Sequence, residues 1–182
     1  WGKSVDPQRI EEELKKDPSI KIVSFVHGET STGVLSDAEV IAKVARDHDC
    51  LTIVDTVTSF VGTPVEVDQW GLDAVYTGSQ KCLSCIPGLS PVTFSERAIS
   101  KCDQRKTPVQ SWFLDISLIK NYWGSGEKRT YHHTAPVNSL YGLYESLLLV
   151  KEEGLENSWD RHLKNHMKLK EGLGELGLEY LF

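Results

Sequence analysis

Two ionisable residues stand where this sequence could do chemistry. Lys81 directly follows Thr77-Gly78-Ser79-Gln80, and Asp55 ends the run Thr52-Ile53-Val54. A lysine amine can join a carbonyl as an imine and, once free, can act as a base. On position alone a loop lysine is simply solvated. The Asp55 carboxylate closes an apolar run, so it is partly desolvated and needs either a cation or the amides of the following loop as partners.

Other constellations are weaker. Cys82 and Cys85 have the spacing of a redox pair or half a zinc site, but such a site needs about two further ligands, and Cys50 and Cys102 are isolated. His132 and His133 could contribute only if the fold brought them close, so the expectation is no metal and cysteines that fill core. The histidines pair with no acid in the manner of a hydrolytic triad. A dinucleotide site is the main rival, with a strand, a glycine turn, a helix, a strand and then an acid. Asp55 lies 22 residues past Gly33, near the ~20 that arrangement expects. The turn itself, Gly28-Glu29-Thr30-Ser31-Thr32-Gly33, lacks the G-x-G-x-x-G pattern and the Gly-Lys-Ser/Thr ending of a phosphate loop. Gly124-Ser125-Gly126-Glu127-Lys128 has no strand before it.

The elements that must position these residues are legible as periodicity. Residues 21–26, 51–57, 72–76 and 91–94 are short apolar runs that read as strands. Between the first two, Ser36 offers an N-cap with Glu39 three residues on, and Val40, Ile41, Val44 and Ala45 share one helical face. Apolar strands alternating with helices indicate a mostly parallel sheet covered on both faces, a three-layer α/β/α arrangement. After Ser95 the pattern turns helical. Residues 138–153 place leucines near 3.6 spacing with Gly154 as a C-cap, and residues 157–173 continue as a long charged helix. We read residues 1–154 as one α/β domain and 155–182 as a helix leading into a truncated second domain. Neither end reads as a natural terminus: there is no initiator Met, and residues 178–182 resemble the opening of a strand.

Composition bounds the function classes. The 182 residues are 40% hydrophobic and 25% charged, as a globular domain requires. A net charge of −6 gives no electrostatic reason to bind nucleic acid or an anionic membrane. No apolar run approaches the ~20 residues of a membrane helix. Four cysteines are too few for a disulfide scaffold, which favours a reducing, cytoplasmic setting.

Several motifs agree in order and spacing. Ser31-Thr32-Gly33 follows a strand, Val54-Asp55-Thr56-Val57 ends one, and Gly78-Ser79-Gln80-Lys81 places its lysine 26 residues after Asp55. Together they resemble the fold-type-I, class-V aminotransferases. The runs His27-Gly28-Glu29-Thr30-Ser31-Thr32-Gly33-Val34, Tyr131-His132-His133-Thr134 and Gly154-Leu155-Glu156-Asn157-Ser158-Trp159 resemble the alanine–glyoxylate / serine–pyruvate branch of that family. The resemblance runs over essentially the whole chain. It implies pyridoxal 5'-phosphate as cofactor, with Lys81 holding it as a Schiff base and Asp55 pairing with its ring nitrogen. It implies further that Val57 packs on the ring, Thr30 bonds near the ring hydroxyl and Gln80 anchors the phosphate. Tyr131 and Thr134 would reach the phosphate of a neighbouring subunit, which makes a homodimer part of the site. The family carries Ser more often than Thr at position 30, and the hydroxyl survives the exchange. By the same resemblance, the phosphate-cradling turn and ring-stacking aromatic lie upstream of Trp1 and the carboxylate-binding Arg downstream of Phe182. The activity implied is transfer of an amino group from a small amino acid, alanine or serine, to glyoxylate or another 2-oxo acid. Alternatives are a ureidoglycine-specific relative, a lyase of the same class, and, from a different class, a nucleotide-binding or non-catalytic α/β module. In a eukaryote a peroxisomal or mitochondrial location would also suit the family.

Overall fold

The computed structural model describes residues 1–123 and 130–180. The Gly124–Lys128 turn weighed above therefore lies outside the described residues, as do Leu181 and Phe182. Leu178, Gly177 and their neighbours up to Tyr180 form no strand.

Four strands form one sheet in the order β1 (Ile22–Val26), β2 (Leu51–Asp55), β3 (Ala74–Tyr76) and β4 (Val92–Phe94). The first three are parallel and β4 runs antiparallel to β3, so the sheet is mixed but mostly parallel, as expected. All four strands are shorter than their apolar runs, β1 and β4 by one residue and β2 and β3 by two, and for the latter pair the reason lies in side chains. β2 stops at Asp55 because its Oδ1 captures the Val57 N–H at 2.9 Å and turns the chain. Ahead of β3, Asp73 meets Thr52 through side chains: the Thr52 N–H donates to Asp73 Oδ2 at 3.0 Å, and the Asp73 N–H to Thr52 Oγ1 at 2.9 Å.

Alternation then sorts the two faces. Phe25, Val54 and Val75 pack with Ile41 and Ala42 of helix α2 (Ala38–Asp47) in the main core. Ahead of α2 in the chain, α1 (Pro7–Lys16) adds a second layer, with Leu14 against Ala45 and Cys50 and with Ile10 beside them. Ile53, Ala74 and Phe94 face the other way, onto a cleft of about 460 Å³ closed by Ala98 and Cys102 of α3 (Glu96–Asp103) and by Leu114 and Ile116. Ile116 opens α4 (Ile116–Trp123). The result is α/β with helices on both faces.

Helix α1 went unread although Ile10 and Leu14 stand four residues apart, because only these two apolar residues break a stretch of charged and polar ones. Asp6 caps it, accepting from the Gln8 N–H at 2.9 Å, with proline in its first turn. The predicted cap of α2 moves by one residue: Asp37, not Ser36, accepts the Val40 N–H. Ser36 is buried, and its hydroxyl accepts from the Val5 N–H at 3.2 Å. Both residues can cap, and the tertiary contact of Ser36 decides between them.

Asp73, 2% exposed, is the one deeply buried carboxylate of the ion pairs found among the described residues. It also accepts from Ser95 Oγ at 2.8 Å and from Arg97 at 3.0 Å. Arg97 in turn donates to the Cys50 carbonyl at 3.0 Å, which ties α3 beneath the start of β2.

Two long helices complete the chain, α5 (Val137–Glu153) and α6 (Leu155–Glu175). Gly154 separates them at φ +84°, a value that suits glycine. Its N–H still bonds the Val150 carbonyl at 2.9 Å, as a C-cap should. No helix among the described residues is long and apolar enough to cross a membrane.

Candidate active site

In a parallel sheet the carboxyl ends of neighbouring strands open onto one edge. The register sets Val26 beside Asp55 and Asp55 beside Tyr76, so the loops leaving β1, β2 and β3 emerge together.

The loop after β1 is a narrow hairpin. Gly28 bridges Leu35, and the Glu29 N–H donates to the Val34 carbonyl at 2.8 Å. Gly33 closes the turn at φ +74°. Glu29 Oε1 accepts from the Ser31 N–H at 2.8 Å and hydroxyl at 2.7 Å, which holds the Glu29 carboxyl below its ordinary range. This is a hairpin rather than a phosphate cradle opening a helix, since α2 starts only at Ala38. It presents Thr30, whose hydroxyl bonds that of Thr58 in the loop after β2. His27 reinforces the junction: it is buried, with Nδ1 2.9 Å from Ser59 Oγ and its ring edge-on to Trp70. Burial pushes the His27 imidazole below its ordinary value. A Cβ on Gly28 would come within 3.1 Å of Ser59 Cβ, so the two loops touch backbone to side chain.

The loop after β2 carries Asp55 and Val57, both partly buried. Both carboxylate oxygens of Asp55 are engaged, Oδ1 by the Val57 N–H and Oδ2 by the Tyr76 hydroxyl at 2.7 Å. The bond to Asp55 raises the Tyr76 phenol above its ordinary value, so Tyr76 stays a donor. Thr56 Oγ1 donates to the Tyr76 carbonyl at 2.8 Å and fixes this loop to the next.

The loop after β3 carries Gln80 and Lys81. Ser79, fully buried, donates to the Ile86 carbonyl at 2.6 Å, and the Cys85 N–H donates back to the Ser79 carbonyl at 3.0 Å. Lys81 begins the closed turn so formed; its carbonyl accepts from the Ser84 N–H at 2.8 Å and its side chain is exposed. The Gln80 amide folds back over Gly78, where a Cβ would come within 2.6 Å of it. This turn and the loop after β2 are braced from behind: Ser146 of α5 donates to the Leu83 carbonyl, and Ser158 of α6 to the Val61 carbonyl at 3.0 Å.

The cysteine pair packs. Cys82 Sγ points at the Thr58 carbonyl and against Gly62, Cys85 Sγ toward Gly142 of α5, and burial pushes the Cys82 thiol up. All four cysteines are free.

The hydroxyls of Tyr131 and Thr134 bond each other, both residues are exposed, and the Tyr131 ring lies edge-on to Tyr122. Between them His132 is buried, with Nε2 2.9 Å from the Trp112 carbonyl. The sheet edge thus gathers Thr30, Asp55, Val57, Gln80 and Lys81, while Tyr131 and Thr134 bond each other on the segment that leads into α5. Tyr76, Thr58, Ser59, Ser146 and Ser158 escaped the sequence reading, because each acts on a partner that only strand register or helix packing brings near.

A lysine amine, a doubly anchored carboxylate, a hydroxyl and an amide on one rim suit a cationic heterocycle that bears an aldehyde, a hydroxyl and a phosphate. The chain matches the aminotransferase class-V family over residues 2–182. It is 42% identical over 180 residues to the alanine–glyoxylate aminotransferase of Rattus norvegicus, covering 98% of this chain and 43% of that protein. The crystal structure of an alanine–glyoxylate aminotransferase from Nostoc sp. superposes with a TM-score of 0.93 at 45% identity, over 98% of this chain and 47% of the other. A ureidoglycine–glyoxylate aminotransferase from Bacillus subtilis gives 0.91 at 41%, over 98% and 46%. The α/β fold is that of the pyridoxal-phosphate aminotransferases. The chain belongs to the class-V aminotransferase family, and it spans somewhat under half the length of these relatives.

Proposed function

We propose that this chain is the cofactor-binding part of an enzyme that transfers an amino group from a small amino acid, alanine or serine, to glyoxylate or another 2-oxo acid. The carrying observation is the register that sets Asp55 and the turn ending in Lys81 at the carboxyl ends of adjacent parallel strands. Pyridoxal 5'-phosphate, which the family implies, supplies an electron sink for the carbanion formed at the donor's α-carbon.

The chain's own residues do the rest. Lys81 Nζ would hold the cofactor covalently, and its amine, when free, would take the proton from the donor's α-carbon. Asp55 balances positive charge on the ring nitrogen, a role suited to a carboxylate whose orientation is already fixed by two donors. Val57 covers a ring face, Thr30 bonds near the ring hydroxyl, and Gln80 helps hold the phosphate. Tyr131 and Thr134, both exposed, complete the phosphate site of a neighbouring subunit in a homodimer. In this reading residues 1–154 belong to the large domain and 155–182 lead into the small one. A cytoplasmic location fits the sparse cysteines, with a peroxisome or mitochondrion as the eukaryotic counterpart.

A second reading changes only the donor: similarity to ureidoglycine–glyoxylate aminotransferase of Bacillus subtilis favours ureidoglycine. The test is to reduce full-length protein with borohydride and map the labelled peptide. The label belongs on Lys81, with loss of visible absorbance; a label on Lys21 or Lys106, or none, removes the reading. Turnover of alanine against ureidoglycine, each with glyoxylate, then separates the two donors.

A further inference from the structure

Asp55 is held by two donors of different kinds. The Val57 N–H on Oδ1 comes from the same turn and persists whatever the neighbouring strand carries. The Tyr76 hydroxyl on Oδ2 comes from the register partner of Asp55 on β3. Tyr76 is 38% exposed and is no part of the fully buried core, so its hydroxyl is free to reach the rim of the sheet. Its backbone is secured independently: the Tyr76 carbonyl accepts from the Thr56 N–H at 2.9 Å and from Thr56 Oγ1 at 2.8 Å. The phenol therefore does little for the sheet and much for the carboxylate.

We infer that Tyr76 is a positioning residue that fixes the plane of the Asp55 carboxylate toward the cofactor's ring nitrogen. The inference rests on the functional reading above. A carboxylate held by one donor pivots about that bond, whereas two donors on different oxygens define its plane. An ionised carboxylate has about four lone-pair sites, so two protein donors leave room for a third on the same group. A charge-assisted contact to a cationic ring nitrogen depends on direction as well as distance. The raised phenol keeps Tyr76 protonated through the neutral range, so its hydroxyl remains a donor and adds no second anion beside Asp55.

The experiment uses full-length protein loaded with cofactor labelled with nitrogen-15 in the ring. Four samples are compared: the parent, Asp55→Asn, Tyr76→Phe, and protein with 3-fluorotyrosine in place of Tyr76. Readouts are the ring-nitrogen chemical shift across pH, the cofactor dissociation constant, and the melting temperature of the cofactor-free protein. The parent should show a protonated ring nitrogen and Asp55→Asn an unprotonated one. Tyr76→Phe removes a single oxygen. It should leave the cofactor-free melting temperature unchanged, weaken cofactor binding about tenfold, and lower the pH at which the ring nitrogen loses its proton. A tenfold effect is what loss of a hydrogen bond to a charged group would give. Replacing Tyr76 with 3-fluorotyrosine, which keeps the donor, should restore the parent profile. If Asp55→Asn moves the nitrogen signal and Tyr76→Phe leaves it at the parent position, the positioning role is overturned while the site stands. A parent that binds no cofactor overturns both. A fall in the cofactor-free melting temperature of Tyr76→Phe, with its nitrogen signal at the parent position, marks Tyr76 as structural and overturns the inference.

Discussion

The Ser158 hydroxyl donates to the Val61 carbonyl at 3.0 Å, across 97 residues of sequence. Val61 has a φ of +70°, a costly value for a β-branched residue, and Ser158 is fully buried. Helix α6 therefore holds the far end of the turn that begins at Asp55, and Ser146 of α5 does the same for the turn that begins at Lys81. Helices distant in sequence clamp both loops of the candidate site.

Ser158→Ala strands the Val61 carbonyl without its donor. The expected cost is about 1–3 kcal/mol, the penalty for an unsatisfied buried polar group. Urea unfolding of the full-length protein measures it; a change under about 0.5 kcal/mol would mean that Val61 keeps its conformation unaided.

Asp55→Asn separates charge from hydrogen bonding, since an amide oxygen can still accept from Val57 or Tyr76 but carries no charge. Truncating a buried, hydrogen-bonded charge pair costs about 2–5 kcal/mol. Felt fully in proton abstraction, that slows a single-turnover half-reaction by roughly 30- to 5,000-fold. A cofactor-loaded variant within about threefold of the parent would leave Asp55 a structural carboxylate.

His27 sets a pH dependence. Its folded value lies below the ordinary one because burial disfavours the imidazolium, so the unfolded chain binds its proton more readily. The His27 contribution is intact above about pH 6.5 and is lost as pH falls from there toward the folded value. The slope cannot exceed ~1.4 kcal/mol per pH unit for one group. Stability measured from pH 8 to 5 should fall less steeply in His27→Gln than in the parent, and parallel curves would show that His27 is not the group responsible.

Tyr131 and Thr134 offer a test of the composite site. If they complete a neighbour's phosphate site, Tyr131→Phe weakens cofactor binding and makes it depend more strongly on protein concentration. A dissociation constant unchanged from the parent at every concentration would leave the 131–134 segment a packed turn bonded within itself.

The sequence by itself determined what depends on neighbours along the chain. The apolar runs of β1 and β2, the stripe of α2, the stop at Gly154 and the Gly-Ser-Gln-Lys turn are local patterns. They place Asp55 and Lys81 at strand ends because a strand end is where an apolar run meets a turn. Helix α1 was just as local, with Asp6 as cap, Pro7 at its start and Ile10 and Leu14 four residues apart, but two apolar residues among charged ones were passed over. Only the tertiary structure decided that Ser36 would be drawn from its cap to Val5, that Tyr76 would sit beside Asp55, and that Ser146 and Ser158 would reach the two turns. Each of these contacts joins residues 21 to 97 positions apart. A serine or tyrosine hydroxyl can bond many partners, and nothing in its own neighbourhood along the chain selects one. Strand register and helix packing make that selection, because they fix which backbone carbonyl or carboxylate would otherwise be buried without a donor.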